Sequence, residues 1–385
     1  MKFRAAAISV VLGGLLPGAP ALAAESVVPE PFRGFDNDSE YSISYADLNT
    51  VLNTLVVEVG LSGRAVTDLP PEITGTRLRP KVNKFTEYEG NRFYYSTFKD
   101  NDAGRQYLLD IQKSLEALPS EVPLENFSRD EQLAYWLNLY NVTVLNEVIA
   151  AFPKRNLKRL VRGRNSFLDE RLLTVSGVPL SLNDIQFTIL RTNYDNNPLI
   201  IYGLYQGYVG GPDIRRTAYD AGSVYHTLEE NAHKFINSNR GTFSRSDEDF
   251  IRVSSFYDRN RAFFPEFETD LTRHLLEFID GTEREHLHAD THIRADIDDF
   301  TVTDLRGTNH RIGGSLAHNQ AALMDSYRGD AKTVFGGTKV ASLKVNKPEE
   351  EPEEEVKVED LGSNPPRIFI DSQLRIRSQS EQNNT

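Results

Sequence analysis

Along residues 128–153, SRDEQLAYWLNLYNVTVLNEVIAAFP, apolar side chains recur at Leu133, Trp136, Leu137, Tyr140, Val144, Leu145 and Val148. That three-and-four spacing lays them along one face of a helix. Ser128 and Glu131 stand at capping-box spacing ahead of it, and Pro153 stops it. The same rhythm predicts helices over 103–118, 223–238 and 267–280. The last of these reads FETDLTRHLLEFID, and the one over 223–238 closes at Asn239, Arg240 and Gly241. YADLNTVLNTLVVEVG predicts a first helix, with Ser44 and Asp47 as its capping box and Leu48, Leu52, Leu55, Val56 and Val59 on one face. SLNDIQFTILR predicts a capped helix starting near Ser181.

Strand-like patterns are shorter. RLLTVSGVPLSL reads as two strands about Ser176 and Gly177, NRFYYSTF at 91–98 as a strand or buried turn, and 243–257 alternates weakly. Helices outnumber strands, so the expected class is α+β in a single large domain spanning 41–340.

The ends differ in character. MKFRAAAISVVLGGLLPGAPALAA sets Lys2 and Arg4 before an apolar stretch that ends in small residues, the pattern of a secretory signal peptide cut after Ala23 or Ala24. Residues 24–40 read as a flexible leader. From 341 to 385 the chain includes KPEEEPEEEVKVED, too acidic and proline-broken to bury a core, and reads as a disordered tail, although RIFIDSQLRIR at 367–377 alternates like a strand. The expected location is periplasmic or secreted, with no transmembrane span in the mature chain.

Composition narrows the chemistry. The chain has no cysteine, which excludes disulfides, thiol nucleophiles and thiolate metal ligands. Its net charge is −13, and loss of the signal's two cations takes it to −15, a surface that repels phosphate backbones and argues against nucleic acid. No G-x-S-x-G elbow occurs, and IIYGLYQGYVGGPDIR at 200–215, with Gly203, Gly207, Gly210 and Gly211, matches neither GxGxxG nor a P-loop. Within EREHLHADTHIRADIDD, His286, His288, Asp290 and His292 alternate, so an extended chain would present all four on one face as part of a zinc or iron site. A histidine-rich polar loop is the plainer reading. His226, His233, His274, His310 and His318 stand alone. Asn138 and Asn141, beside Trp136 and Tyr140, either orient a ligand carbonyl or tie loops to the core.

Taken in order, DEQLAYWLNLYNVTVLNEVIAAFP, VSGVPLSLNDIQFTILR, NPLIIYGLYQGYVGGPDIR and RVSSFYDRNRAFF resemble the landmarks of the domain-of-unknown-function family 547, over about residues 90–305. The family pattern of an aromatic followed by Asn-x-Tyr-Asn is matched by Trp136, Asn138, Tyr140 and Asn141. Its SLNDIExxIxR landmark is matched at Asp184, Ile185 and Arg191, but Gln186 replaces the glutamate and Phe187 the histidine that often follows. Its Pro-Arg-x-His stretch running into two cysteines and a proline aligns Pro198 and Pro212. There Leu199 stands for the arginine, Ile201 for the histidine, and Gln206 and Gly211 for the cysteines. A terminal Tyr-Asp-Trp-x-Leu-Asn is similar to DDFTVT, with Asp299 and Phe300 in register.

The resemblance implies no established reaction. Papain- or transglutaminase-like amide chemistry for complete members is analogy alone, and here the pattern's glutamate, the arginine of its Pro-Arg-x-His stretch, its histidines and its cysteines have given way to neutral groups. The leading expectation is a non-catalytic exported domain, without a cofactor. It binds a small ligand or an envelope protein in a cleft formed by Trp136, Asn138, Tyr140, Asn141, Arg191, Gln206, Asp299 and the 203–212 loop. The alternatives are a metal-dependent hydrolase built on His286, His288 and His292 with Asp290 or Asp299, and a scaffold acting through the acidic tail.

Overall fold

The computed structural model describes residues 27–64, 86, 89–244, 249–305 and 344–347. All of them belong to one compact unit ending at Lys347. The tail from 348 to 385 with its 367–377 alternation, the expected signal peptide, His310 and His318 lie outside the described residues.

A 3-10 turn at Glu30–Phe32 precedes β1 (Ser42–Ser44) and α1 (Ala46–Leu55). The expected capping box at α1 does not form, because Tyr45 occupies the cap position and no side chain caps the helix. The helix also stops earlier than its apolar stripe suggests: the β-branched pair Val56–Val57 becomes β2 and pairs antiparallel with β3 (Arg92–Phe93). Residues 91–98 form that strand and a 3-10 turn, Tyr95–Phe98, with both aromatic ends buried.

Next come α2 (Asp102–Glu121), capped by Asn101, and α3 (Arg129–Ala151). Ser128 Oγ accepts from the Glu131 amide at 3.2 Å, as its spacing predicts. The Glu131 carboxylate does not return to Ser128; it accepts from the Ile43 amide at 3.0 Å and so holds β1. Ala134, Leu139 and Val142 lie off the predicted stripe yet are buried with it. A helix enclosed on nearly all sides is a central helix, and α2 packs along it, with Tyr135 donating to the Leu115 carbonyl and Asn146 to Gln112. The segment read as a leader is docked here too, since Phe32 is fully buried with its ring edge-on to Trp136 at 5.1 Å.

After α4 (Lys158–Arg162), β4 (Leu173–Val175) and β5 (Val178–Leu180) make the expected hairpin. Ser176 and Gly177 both take left-handed φ, 47° and 74°, as a tight two-residue turn requires. Ser181 and Asp184 then cap each other reciprocally: Ser181 N donates to Asp184 Oδ2 at 2.7 Å and Asp184 N to Ser181 Oγ at 3.1 Å. The helix that follows is π-wound over Asp184–Leu190 before α5 (Arg191–Asn193).

The C-terminal half consists of α6 (Val224–Ile236), β6 (Thr242–Phe243), β7 (Phe250–Ser254), α7 (Ser255–Arg259), α8 (Phe267–Phe278), α9 (Gly281–Glu285) and β8 (His292–Ile297). β6 and β8 flank β7, antiparallel and parallel to it. Finally β9 (Lys344–Asn346), a stretch the sequence places in the tail, pairs antiparallel with β1. The protein is an α+β fold in which helices predominate over small sheets. Among the described residues no helix is long and apolar enough to cross a membrane.

Candidate functional site

The glycine-rich stretch lies against α3 and is held there by Asn141, while Asn138 holds the segment that follows it at Tyr219. Asn141 donates to the Gly203 carbonyl and accepts from the Tyr205 amide, both at 2.9 Å. Asn138 does the same one turn earlier, donating to the Tyr219 carbonyl at 2.8 Å and accepting from its amide at 2.9 Å. Each side-chain amide thus mimics a neighbouring strand and satisfies backbone groups that burial would otherwise leave open.

The far side of the loop is closed by residues 299–303. Gly210 N donates to the Asp299 carbonyl at 2.8 Å, Val209 N to Thr301 at 2.9 Å, and Thr303 N to the Gly207 carbonyl at 3.1 Å. Two glycines make this possible. Gly207 has φ +77°, and a Cβ on Gly210 would stand 2.9 Å from the Asp299 carbonyl oxygen. At Gly210 the missing side chain lets backbone pack directly against backbone.

The structure therefore brings Asn138, Tyr140, Asn141 and Gln206 together in a closed joint instead of an open cleft. Trp136 is buried against Phe32 and Tyr135. Asp299 accepts from Thr86 and from the Thr301 amide. Arg191 stands apart on α5, where its Nε donates to the Phe187 carbonyl at 3.2 Å. Asn138 and Gln206 are 2% and 1% exposed, too little for a ligand to reach without opening the fold.

Within the joint the positions of interest form a neutral polar knot. Gln206 Nε2 donates to the Tyr140 hydroxyl at 3.2 Å and the Leu204 carbonyl at 2.9 Å. Gln186, on the π-helical turn, accepts from Arg259 at 3.1 Å and donates to Asn260. Burial pushes the Tyr140 phenol up, against the opposing pull of Arg259 and the Gln206 amide. Amides, a raised phenol and a guanidinium exchange no proton near neutrality. Arg259 and Asn260 carry no local sequence signal; only the landmark RVSSFYDRNRAFF contains them.

At the loop's end Asp213 is buried between Arg240 at 2.8 Å and Lys234 at 2.9 Å, and it accepts from the Asn91 amide at 2.8 Å. Burial alone would raise its carboxyl, but the two cations overcome it and hold the pKa at about 2. Arg240 also donates to the carbonyls of Gly211 and Val209, so this charge pair anchors the glycine loop. In the sequence Arg240 stands out only as part of a helix stop.

A second buried polar chain links Tyr257, Tyr202 and His274, with O–O and O–N distances of 3.0 and 2.9 Å. Burial pushes the His274 imidazole from 6.5 down to about 4. An imidazole depressed in the fold binds its proton preferentially in the unfolded chain. The stability it contributes is complete above pH ~6.5 and is lost as pH falls toward 4, about 3 kcal/mol in all. Urea midpoints between pH 7 and 4 should fall more steeply for the native protein than for His274→Phe; equal slopes would show that His274 is not buried neutral.

The alternating histidines do not converge. His286 follows α9 and its Nδ1 meets the Thr282 carbonyl at 2.8 Å, whereas His292 opens β8, 3.6 Å from Glu268. The chain turns between them instead of extending. Among the described residues no group of three or more His, Asp or Glu side chains is placed to hold a metal ion.

Open surface lies instead in two grooves beside α6, about 670 and 480 Å³, which share Glu229 and Phe278 in their linings.

The joint and fold together define a class, an α+β domain built round a buried Asn-x-Tyr-Asn helix that clamps a glycine loop. Residues 124–236, which contain that helix, the hairpin, the π-wound segment and the loop, match the model of a family described as "Protein of unknown function, DUF547". No curated protein and no solved structure matches the chain.

Proposed function

We propose that this is an exported, non-catalytic binding domain whose family-type centre has become a structural joint. The single observation that carries the reading is the knot itself: Gln186, Phe187, Ile201, Gln206 and Gly211 occupy the positions where the resembled pattern has ionisable or thiol groups. In this fold Gln186 and Gln206 lie within one hydrogen-bonded centre around Tyr140 and Arg259. A general acid, a base or a nucleophile is what such a centre needs for amide or ester chemistry, and these side chains supply none. Binding then falls to open surface, and the grooves beside α6 offer it among the described residues.

Purified mature protein incubated with chromogenic esters and peptide anilides should give no turnover above buffer. Turnover abolished by Tyr140→Phe or Gln206→Ala would overturn the reading. The export half has its own check. The mass of the protein recovered from expressing cells should lack the first 23 or 24 residues, and an intact N-terminus in the mature pool would refute it.

A further inference from the structure

The two grooves are one feature. The first is bordered by α6 and by Glu58, Val59 and Leu61, which follow β2. The second is bordered by α8 and by Asn196 to Leu199. Glu229 and Phe278 line both.

Charge along this feature is unbalanced in one direction. Arg215 pairs with Glu230 at 2.8 Å, Arg273 with Asp270 at 3.0 Å, and Lys234 turns inward to Asp213. His233 meets Asp280 at 2.6 Å. Glu58 and Glu229 have no cationic partner among the described residues, and the neighbour of Glu277 is His274 Nδ1, 4.0 Å away. His274 is neutral above pH 4 to 5, so it cannot compensate that carboxylate. Three acids therefore remain in excess: Glu58 in the first groove, Glu277 in the second, and Glu229 where they meet.

The grooves also carry an apolar strip, since Leu61 is 69% exposed and Phe278 lies at the junction.

We propose that the paired grooves dock a basic peptide, an extended segment whose lysine or arginine side chains reach Glu58, Glu229 and Glu277 around an apolar residue seated near Phe278. A small monocation answers one carboxylate; three acids on separate elements call for several cations on one chain. The proposal deepens the binding reading above and rests on it.

Fluorescence anisotropy with a fluorescein-labelled peptide of alternating arginine and leucine tests it, using the mature protein. Binding should weaken as salt rises, and Glu229→Lys should cost about tenfold in Kd. Glu121→Lys makes the same charge change on an exposed residue outside both grooves and should stay within about twofold. Equal losses in the two variants would reduce the effect to net charge and overturn the proposal. So would absence of binding, or binding of arginine amide without the peptide. None of those results restores a catalytic role, so this proposal can fail while the non-catalytic reading stands, and turnover in the substrate assay would remove that reading whatever the peptide does.

Discussion

Replacing Arg240 with methionine is expected to destabilise the fold by about 3–5 kcal/mol, because it leaves the Asp213 carboxylate buried with one of its two ion pairs gone and Lys234 still in contact. The loss has two parts. The charge pair is broken inside the protein, where water cannot replace it, and the carbonyls of Gly211 and Val209 lose their donor. For a domain of this size the melting temperature should drop on the order of 10 °C. Urea unfolding at pH 7 gives the free energy directly. A loss under about 1 kcal/mol would mean that Asp213 reaches solvent and that the loop is anchored some other way. Asp213→Asn is the complementary variant, since it keeps the shape and strands the guanidinium instead.

The double variant Asn138→Ala, Asn141→Ala should cost about 4 kcal/mol or more, because four backbone groups lose their partners at once: the amides of Tyr205 and Tyr219 and the carbonyls of Gly203 and Tyr219. The single variants should each take roughly half. Asn141→Asp is the sharper probe, since it retains the acceptor for Tyr205 but turns a donor into a second acceptor facing the Gly203 carbonyl. It should be at least as harmful as alanine. If the double variant melted like the native protein, the clamps would be incidental and the joint would owe its closure to apolar packing alone.

The contrast between these two sites shows what the chain discloses locally. The long helix, its Ser128 cap, the hairpin at Ser176-Gly177 and the helices over 223–238 and 267–280 follow from spacing and turn chemistry, which act within a few residues. The asparagine pair is visible as a pattern, and holding loops was one of its two readings; only tertiary contact settles which. Asp213 with Arg240 is invisible in the sequence, because an Arg in a helix stop looks the same whether it faces water or a carboxylate 27 positions away. Likewise, alternation at His286 to His292 predicts a shared face only for an extended chain, and the turn before β8 removes that condition. The first helix ended early for the opposite reason: its apolar stripe continues past Leu55, but pairing with Arg92–Phe93 outweighs helical propensity at two valines.

The zipper between residues 207–210 and 299–303 has a consequence for how the chain folds. Almost a hundred positions separate its two sides, so the loop's amides cannot be satisfied until the second side has been made. Closing so long a segment is entropically expensive and slow. Synthesised from the N-terminus, the long helix and its hairpin exist well before their last partner does. The matched stretch 124–236, cut out by itself, would present an unpaired backbone edge where the intact protein has a seam. Completion of this seam is thus assigned to residues outside the region that carries the family match, and the loop stays open until residues 299–303 have been made.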